Sequence, residues 1–201
     1  MQDSIDTGAQ APRQGLRWYE KLLLVLFFGA VFGALELFGR DGLRAAGIEH
    51  KSAILYGFGI IILYASKRVA HFPGSVAIMA LIASLFKAAS SNFYPCTVAA
   101  VMINGVVFDI AYSTFKGRLD SSLLQRTLAA PVIVYVSYAA FAILAAFVLR
   151  EGSWGADGWA GVRSYLLTSA VSASLISIVT IHLGYYLGNA IRPLVPVCKP
   201  A

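Results

Sequence analysis

A chain of 201 residues that is 58% hydrophobic and only 13% charged, with a mean hydropathy of +0.71, excludes a water-soluble domain, in which roughly a quarter of residues carry charge. The net charge of +6 does not mark a nucleic-acid binder, because the basic residues sit between apolar runs instead of along one face. Cys96 and Cys198 fit neither a metal-ligand spacing nor a disulfide framework, so no metal or other cofactor is expected.

Residues 1–21 read as a polar, mobile tail, since the apolar run that follows is full-length and unlike the short core of a signal peptide. The first run, 22–38, lies between Lys21 and Arg40 and is long enough to span with its flanks. The second, 52–66, is shorter and bracketed by Lys51, Lys67 and Arg68, whose snorkelling would let it cross. The third opens at Pro73, suited to a first helical turn, and runs from 74 to 89. The fourth covers 95–115, and the fifth covers 128–149 with Pro131 in its first turn. A loop over 150–163 leads to the sixth, 164–188, and 191–201 form a second tail.

The expected architecture is therefore an all-α integral membrane bundle of six helices over residues 22–190. Basic loop residues are retained on the cytoplasmic side. With the N-terminus inside, that side holds ten: Arg13, Arg17, Lys21, Lys67, Arg68, Lys116, Arg118, Arg126, Arg192 and Lys199. The outer side holds five: Arg40, Arg44, Lys51, Arg150 and Arg163. Both ends are expected in the cytoplasm.

A charge within a span is costly, which makes each one a candidate functional residue. Glu36 lies about 21 Å along the first helix and Lys87 about 20 Å along the third, so the two share a depth in the outer half. Asn104 lies roughly 14 Å inward on the fourth helix and can join them, together with Asn92 and Tyr94 in the outer connection before it. Glu36 and Lys87 have two compatible readings: a polar pocket for a small polar or zwitterionic solute, or an ion pair that lets two charges coexist in a bundle. Asp109 is expected to pair with Lys116 or Arg118 on the cytoplasmic side, and His182 and Asn189 to be satisfied locally. Trp154 and Trp159, on the outer loop 152–161, are either a lid over the pocket or interfacial anchors. Small residues at Gly29, Ala30, Gly33 and Ala34, repeated at Gly184 and Gly188, allow close helix approach, either within the bundle or to a partner.

The stretch from His71 to Lys87, HFPGSVAIMALIASLFK, is followed by a polar break and a helix carrying Asn104 and Asp109. With six short helices and both ends inside, this resembles the substrate-binding S components of energy-coupling factor transporters, over roughly residues 22 to 190. The stripe at Ala30, Gly33 and Ala34 is similar to the family's Ala-xxx-Ala contact in its first helix, with glycine replacing one alanine. The resemblance implies a multi-pass subunit of the bacterial inner membrane that binds a vitamin-like organic nutrient at Glu36, Lys87, Asn92, Tyr94 and Asn104. It also implies docking through the first helix on a transmembrane coupling subunit driven by two ATPases. Such a chain hydrolyses nothing itself, and no Gly-xxxx-Gly-Lys-Ser/Thr phosphate loop is present. The family's cobalt and nickel binders use histidines near the N-terminus; the tail here has none, which disfavours metal uptake. The competing expectation is a structural or assembly subunit whose buried charges are pairing devices. No His-Glu-xx-His pair or Gly-x-Ser-x-Gly elbow points to an enzyme.

Overall fold

A computed structural model describes residues 17–48, 51–89, 94–115, 118–150 and 153–195, and among these there is no β-strand. The helices are α1 (Trp18–Ala45), α2 (Lys51–Ala70), α3 (Ser75–Ala88), α4 (Pro95–Phe115), α5 (Leu123–Leu149) and α6 (Trp154–Ile191), with a short turn at Arg118–Ser121. Five of them are long and apolar enough to cross a bilayer, which makes this a helical membrane protein. The sixth, α3, has 14 residues and is about 21 Å long, short of the ~30 Å hydrocarbon core.

The helices outrun the apolar segments that mark them. α1 continues beyond its apolar run through Arg40, Asp41 and Arg44, because extending an existing helix adds one hydrogen bond for each residue fixed. It stops at Gly47, whose φ of +67° and bonds Gly47 N–H to Arg44 O and Ile48 N–H to Leu43 O, each 3.1 Å, form a Schellman cap.

α2 runs its full 20 residues, about 30 Å, and needs no snorkelling to span. Lys67 at its end is 3% exposed and points into the protein. Pro73 precedes α3 and does not sit in its first turn; Gly74, at φ +84°, occupies the N-cap position. α5 begins five residues earlier than the apolar pattern suggests, capped by the Ser122 hydroxyl, which accepts from the Gln125 N–H at 3.3 Å. Pro131 is consequently inside α5, beyond its first turn, and its carbonyl accepts from the Ser174 hydroxyl of α6 at 3.2 Å. The expected loop over 150–163 is helical from Ser153 onward and broken at Gly158, whose φ of 51° and ψ of −128° are non-helical.

α2 is the central helix, with 72% of its apolar window buried. Small residues set the crossings around it, as bundles in lipid require, since neighbours there are held by close packing and not by exclusion of water. Gly184 and Gly188 of α6 lie against Ile61, Ala65 and Arg68 of α2. Gly29 and Gly33 of α1 lie against Ile82 and Phe86 of α3, so the stripe on the first helix is covered within the chain. Ala30 and Ala34 beside it are half-buried.

The tightest crossing is α3 on α4, where a Cβ at Gly105 would overlap the Ala80 methyl and lie 3.1 Å from the Val76 carbonyl oxygen. Gly105→Val should therefore destabilise the protein by about 1–3 kcal/mol, while Gly42→Ala, with nothing within 4 Å of its would-be Cβ, should be neutral or slightly stabilising. Thermal melts of the two variants in detergent would check this; equal melting temperatures would refute it.

Candidate functional site: a charged and aromatic cavity

Glu36 and Lys87 meet at one end of the bundle. Lys87 Nζ lies 3.8 Å from Glu36 Oε2, with the side chains 7% and 12% exposed, and it also donates to the Glu36 backbone carbonyl. That carbonyl is available because residues Leu35–Gly39 form a π-helical segment within α1. Such wide turns free backbone acceptors from the α-helical ladder and recur at functional sites.

The pair forms part of the wall of a cavity of about 720 Å³, within the size range of pockets for small organic ligands. Of the residues singled out in the sequence, Glu36, Lys87, Tyr94, Asn104 and Trp154 all line it. They come from α1, α3, the residue preceding α4, α4 itself and α6, so the convergence is a product of the fold and not of local sequence. Asn92 lies outside the described residues.

The two tryptophans part company. Trp154 stands edge-on to Tyr165 at 4.9 Å and to Phe141 at 5.7 Å, on the cavity wall. Trp159 does not line the cavity; it is 67% exposed and packs on Phe147. Both lie on a helical segment where a loop was expected.

Several lining residues are not apparent from the apolar runs. Arg40 and Lys51 stand at the cavity's charged end, and Tyr56, Tyr138, Phe141 and Tyr165 form an aromatic wall. Tyr138 and Tyr165 are stacked at 5.4 Å, and Tyr56 meets Tyr138 edge-on at 5.3 Å. The available signal was the set of tyrosines inside spans 2, 5 and 6, since a phenol in a membrane core needs a polar neighbour or a wet cavity. Two further π-helical segments, Leu144–Leu149 and Leu166–Ala170, follow Phe141 and Tyr165 closely. All three π segments thus adjoin cavity-lining residues.

The opposite end of the bundle is also polar but is closed by internal bonds. Asp109 does not pair with Arg118, and Lys116 lies outside the described residues; its partner is Lys67 of α2, with Nζ to Oδ1 at 2.5 Å. The reason is geometric: Asp109 is buried on the face of α4 toward α2, and its Oδ2 accepts from the Gly74 N–H at 2.6 Å. Asp120 collects the hydroxyls of Tyr64 (3.1 Å) and Tyr112 (2.5 Å) and the Arg68 guanidinium (2.8 Å). Arg68 also donates to the Asn189 side-chain oxygen at 2.5 Å, so Asn189 is satisfied as expected. His182 Nε2 lies 3.0 Å from the Thr127 hydroxyl, but its Nδ1 is buried without a hydrogen-bond partner.

Chemically, the cavity offers one carboxylate, three cationic side chains, an amide, hydroxyls and an aromatic wall: groups that bind and orient a solute. Among the described residues no three His, Cys, Asp or Glu side chains gather as a metal site would require. No family model, curated protein or solved structure matches the chain.

Proposed function

We propose that the chain is a membrane-embedded solute-binding subunit of an energy-coupling-factor-type importer, capturing a small organic, vitamin-like nutrient from the outer side of a bacterial inner membrane. What supports this reading is the convergence of Glu36, Lys87, Tyr94, Asn104 and Trp154, from separate helices, on one cavity of ligand size. In this reading the chain crosses six times, with α3 as a short crossing held between α1 and α4, and both termini in the cytoplasm. The loaded subunit docks along α1 on a transmembrane coupling subunit driven by two ATPases. Because Gly29 and Gly33 are covered by α3, the docking face is the flank carrying Ala30 and Ala34.

The second reading, a structural subunit of a larger complex, draws on the same ion pair, since Glu36 and Lys87 already partner each other. Purification from native membranes into lipid nanodiscs, followed by denaturation and mass spectrometry of released small molecules, separates the two. A stoichiometric released solute is the expected result. Its absence from protein prepared with and without the ATPases, alongside stable co-purification of other membrane subunits, would favour the structural reading.

A further inference from the structure

The lining of the cavity is not electrically balanced. Lys87 faces Glu36, which is the only acidic side chain on the wall among the described residues, and this pair is neutral overall. Arg40 and Lys51 remain, and among the described residues neither has an ion-pair partner. Among the described residues that line the cavity, formal charge is in excess by two positive charges, in a setting where low-dielectric walls strengthen charge recognition.

The two remaining cations and the aromatic rings differ in burial. Arg40 is exposed and Lys51 is the first residue of α2, so both stand at the mouth. Tyr56 lies five residues further along the same helix, about 7 Å deeper, and is 7% exposed, while Tyr138 beside it is 4% exposed. From there Tyr165 and Trp154 extend the wall, with centroid separations of 5.4 Å and 4.9 Å from ring to ring. Contiguous ring faces and edges of this kind receive a planar ring in offset-stacked or edge-on geometry.

Resting on the solute-binding reading, we infer that the solute is a planar aromatic anion: its acidic group is held by Arg40 and Lys51 at the mouth, and its ring lies against Tyr138, Tyr165 and Trp154 below. An aromatic wall alone would also suit a quaternary ammonium. Two cations at the mouth that have no ion-pair partner among the described residues repel such a ligand and attract a carboxylate or phosphate, for which Arg40 offers a planar bidentate fork. A neutral ring would leave both cations unused. The volume of about 720 Å³ admits two or three fused rings with a side chain.

The test uses four bicyclic probes of similar size, measured by equilibrium dialysis against the protein in nanodiscs: the planar naphthoate, naphthamide and naphthyltrimethylammonium, and the saturated, non-planar decalincarboxylate. Naphthoate should bind about tenfold or more tighter than the amide, as a desolvated charge-assisted contact predicts. The ammonium probe should bind weakest, and decalincarboxylate should fall well below naphthoate. The double variant Arg40→Gln, Lys51→Gln should lose the preference for acid over amide while keeping its thermal melt. Tyr165→Leu should weaken acid and amide alike. Tightest binding by the ammonium probe, equal binding of naphthoate and decalincarboxylate, or an unchanged acid preference in the double variant would each overturn the inference. A non-aromatic or cationic solute released from native protein would overturn it while leaving the solute-binding reading standing. With no probe bound and no solute released, both fall together.

Discussion

Asp109→Ala should destabilise the bundle by about 3–5 kcal/mol, because it strands a buried ammonium. Lys67 Nζ has its partner oxygen at 2.5 Å and the Phe72 carbonyl at 2.9 Å, and the two side chains are only 4% and 10% exposed. Asp109 also holds the Gly74 N–H, so one carboxylate ties α2, the turn into α3, and α4 together. The single variant removes the anion and leaves the cation in a low-dielectric interior facing a neutral carbonyl and the Tyr112 ring. Replacing both partners, Lys67→Met with Asp109→Leu, removes the desolvation cost together with the attraction and should lose less than half as much. Unfolding in mixed micelles would measure both. If Asp109→Ala stays within 1 kcal/mol of the parent protein, roughly the scale of an exposed pair, the tie is not structural.

The second large effect falls on the solute. Lys87→Ala should weaken binding of the solute released from native protein by on the order of a hundredfold, the scale of truncating one member of a desolvated charge pair. Part of that loss would come from the uncompensated Glu36 left behind, so the single variant alone does not separate recognition from stability. The paired variant Glu36→Gln, Lys87→Met does. It strands neither member of the pair, and the close approach of α1 to α3 at Gly29 and Gly33 is untouched, so its thermal stability should stay near that of the parent. Its affinity for the solute should still be lost. Retained affinity in this stable variant would make the pair a packing device and would remove it from the site.

The limits of reading this protein from its sequence follow from its solvent. In water, an amphipathic stripe tells which side of a helix faces the core; in lipid, the outward face is as apolar as the inward one, and that cue is nearly erased. The positions of Gly29 and Gly33 illustrate this. Their spacing shows that something approaches closely, but not whether it is a helix of the same chain, and the answer is Ile82 and Phe86 of α3. Asp109 is similar: its burial is legible from the run around it, while its choice of Lys67 over Arg118 depends on the rotation of α4 about its own axis. Helix ends are set by capping chemistry that the apolar runs missed, the first run stopping at 38 and the fifth starting at 128. Gly47 with its Schellman bonds and Ser122 with its cap mark these ends, and charged residues do not, since helices pass through Arg40 and Lys67 without stopping.

The apolar runs by themselves determined that the chain is a helical membrane protein and roughly where its spans lie, because a span is a local property of about 20 consecutive residues. The rarity of charged and polar side chains within those runs also picked out Glu36, Lys87 and Asn104, since the cost of taking such a group out of water is a property of the group itself. Tertiary structure alone decided what these residues face. It set the Glu36 carboxylate 3.8 Å from the Lys87 ammonium, brought Arg40 and Lys51 to the cavity mouth, gathered tyrosines from three helices into one wall, and took Trp154 while leaving Trp159 outside. Those outcomes depend on how six helices rotate and cross, and the contacts responsible join residues as distant in the chain as Tyr56, Tyr138 and Tyr165.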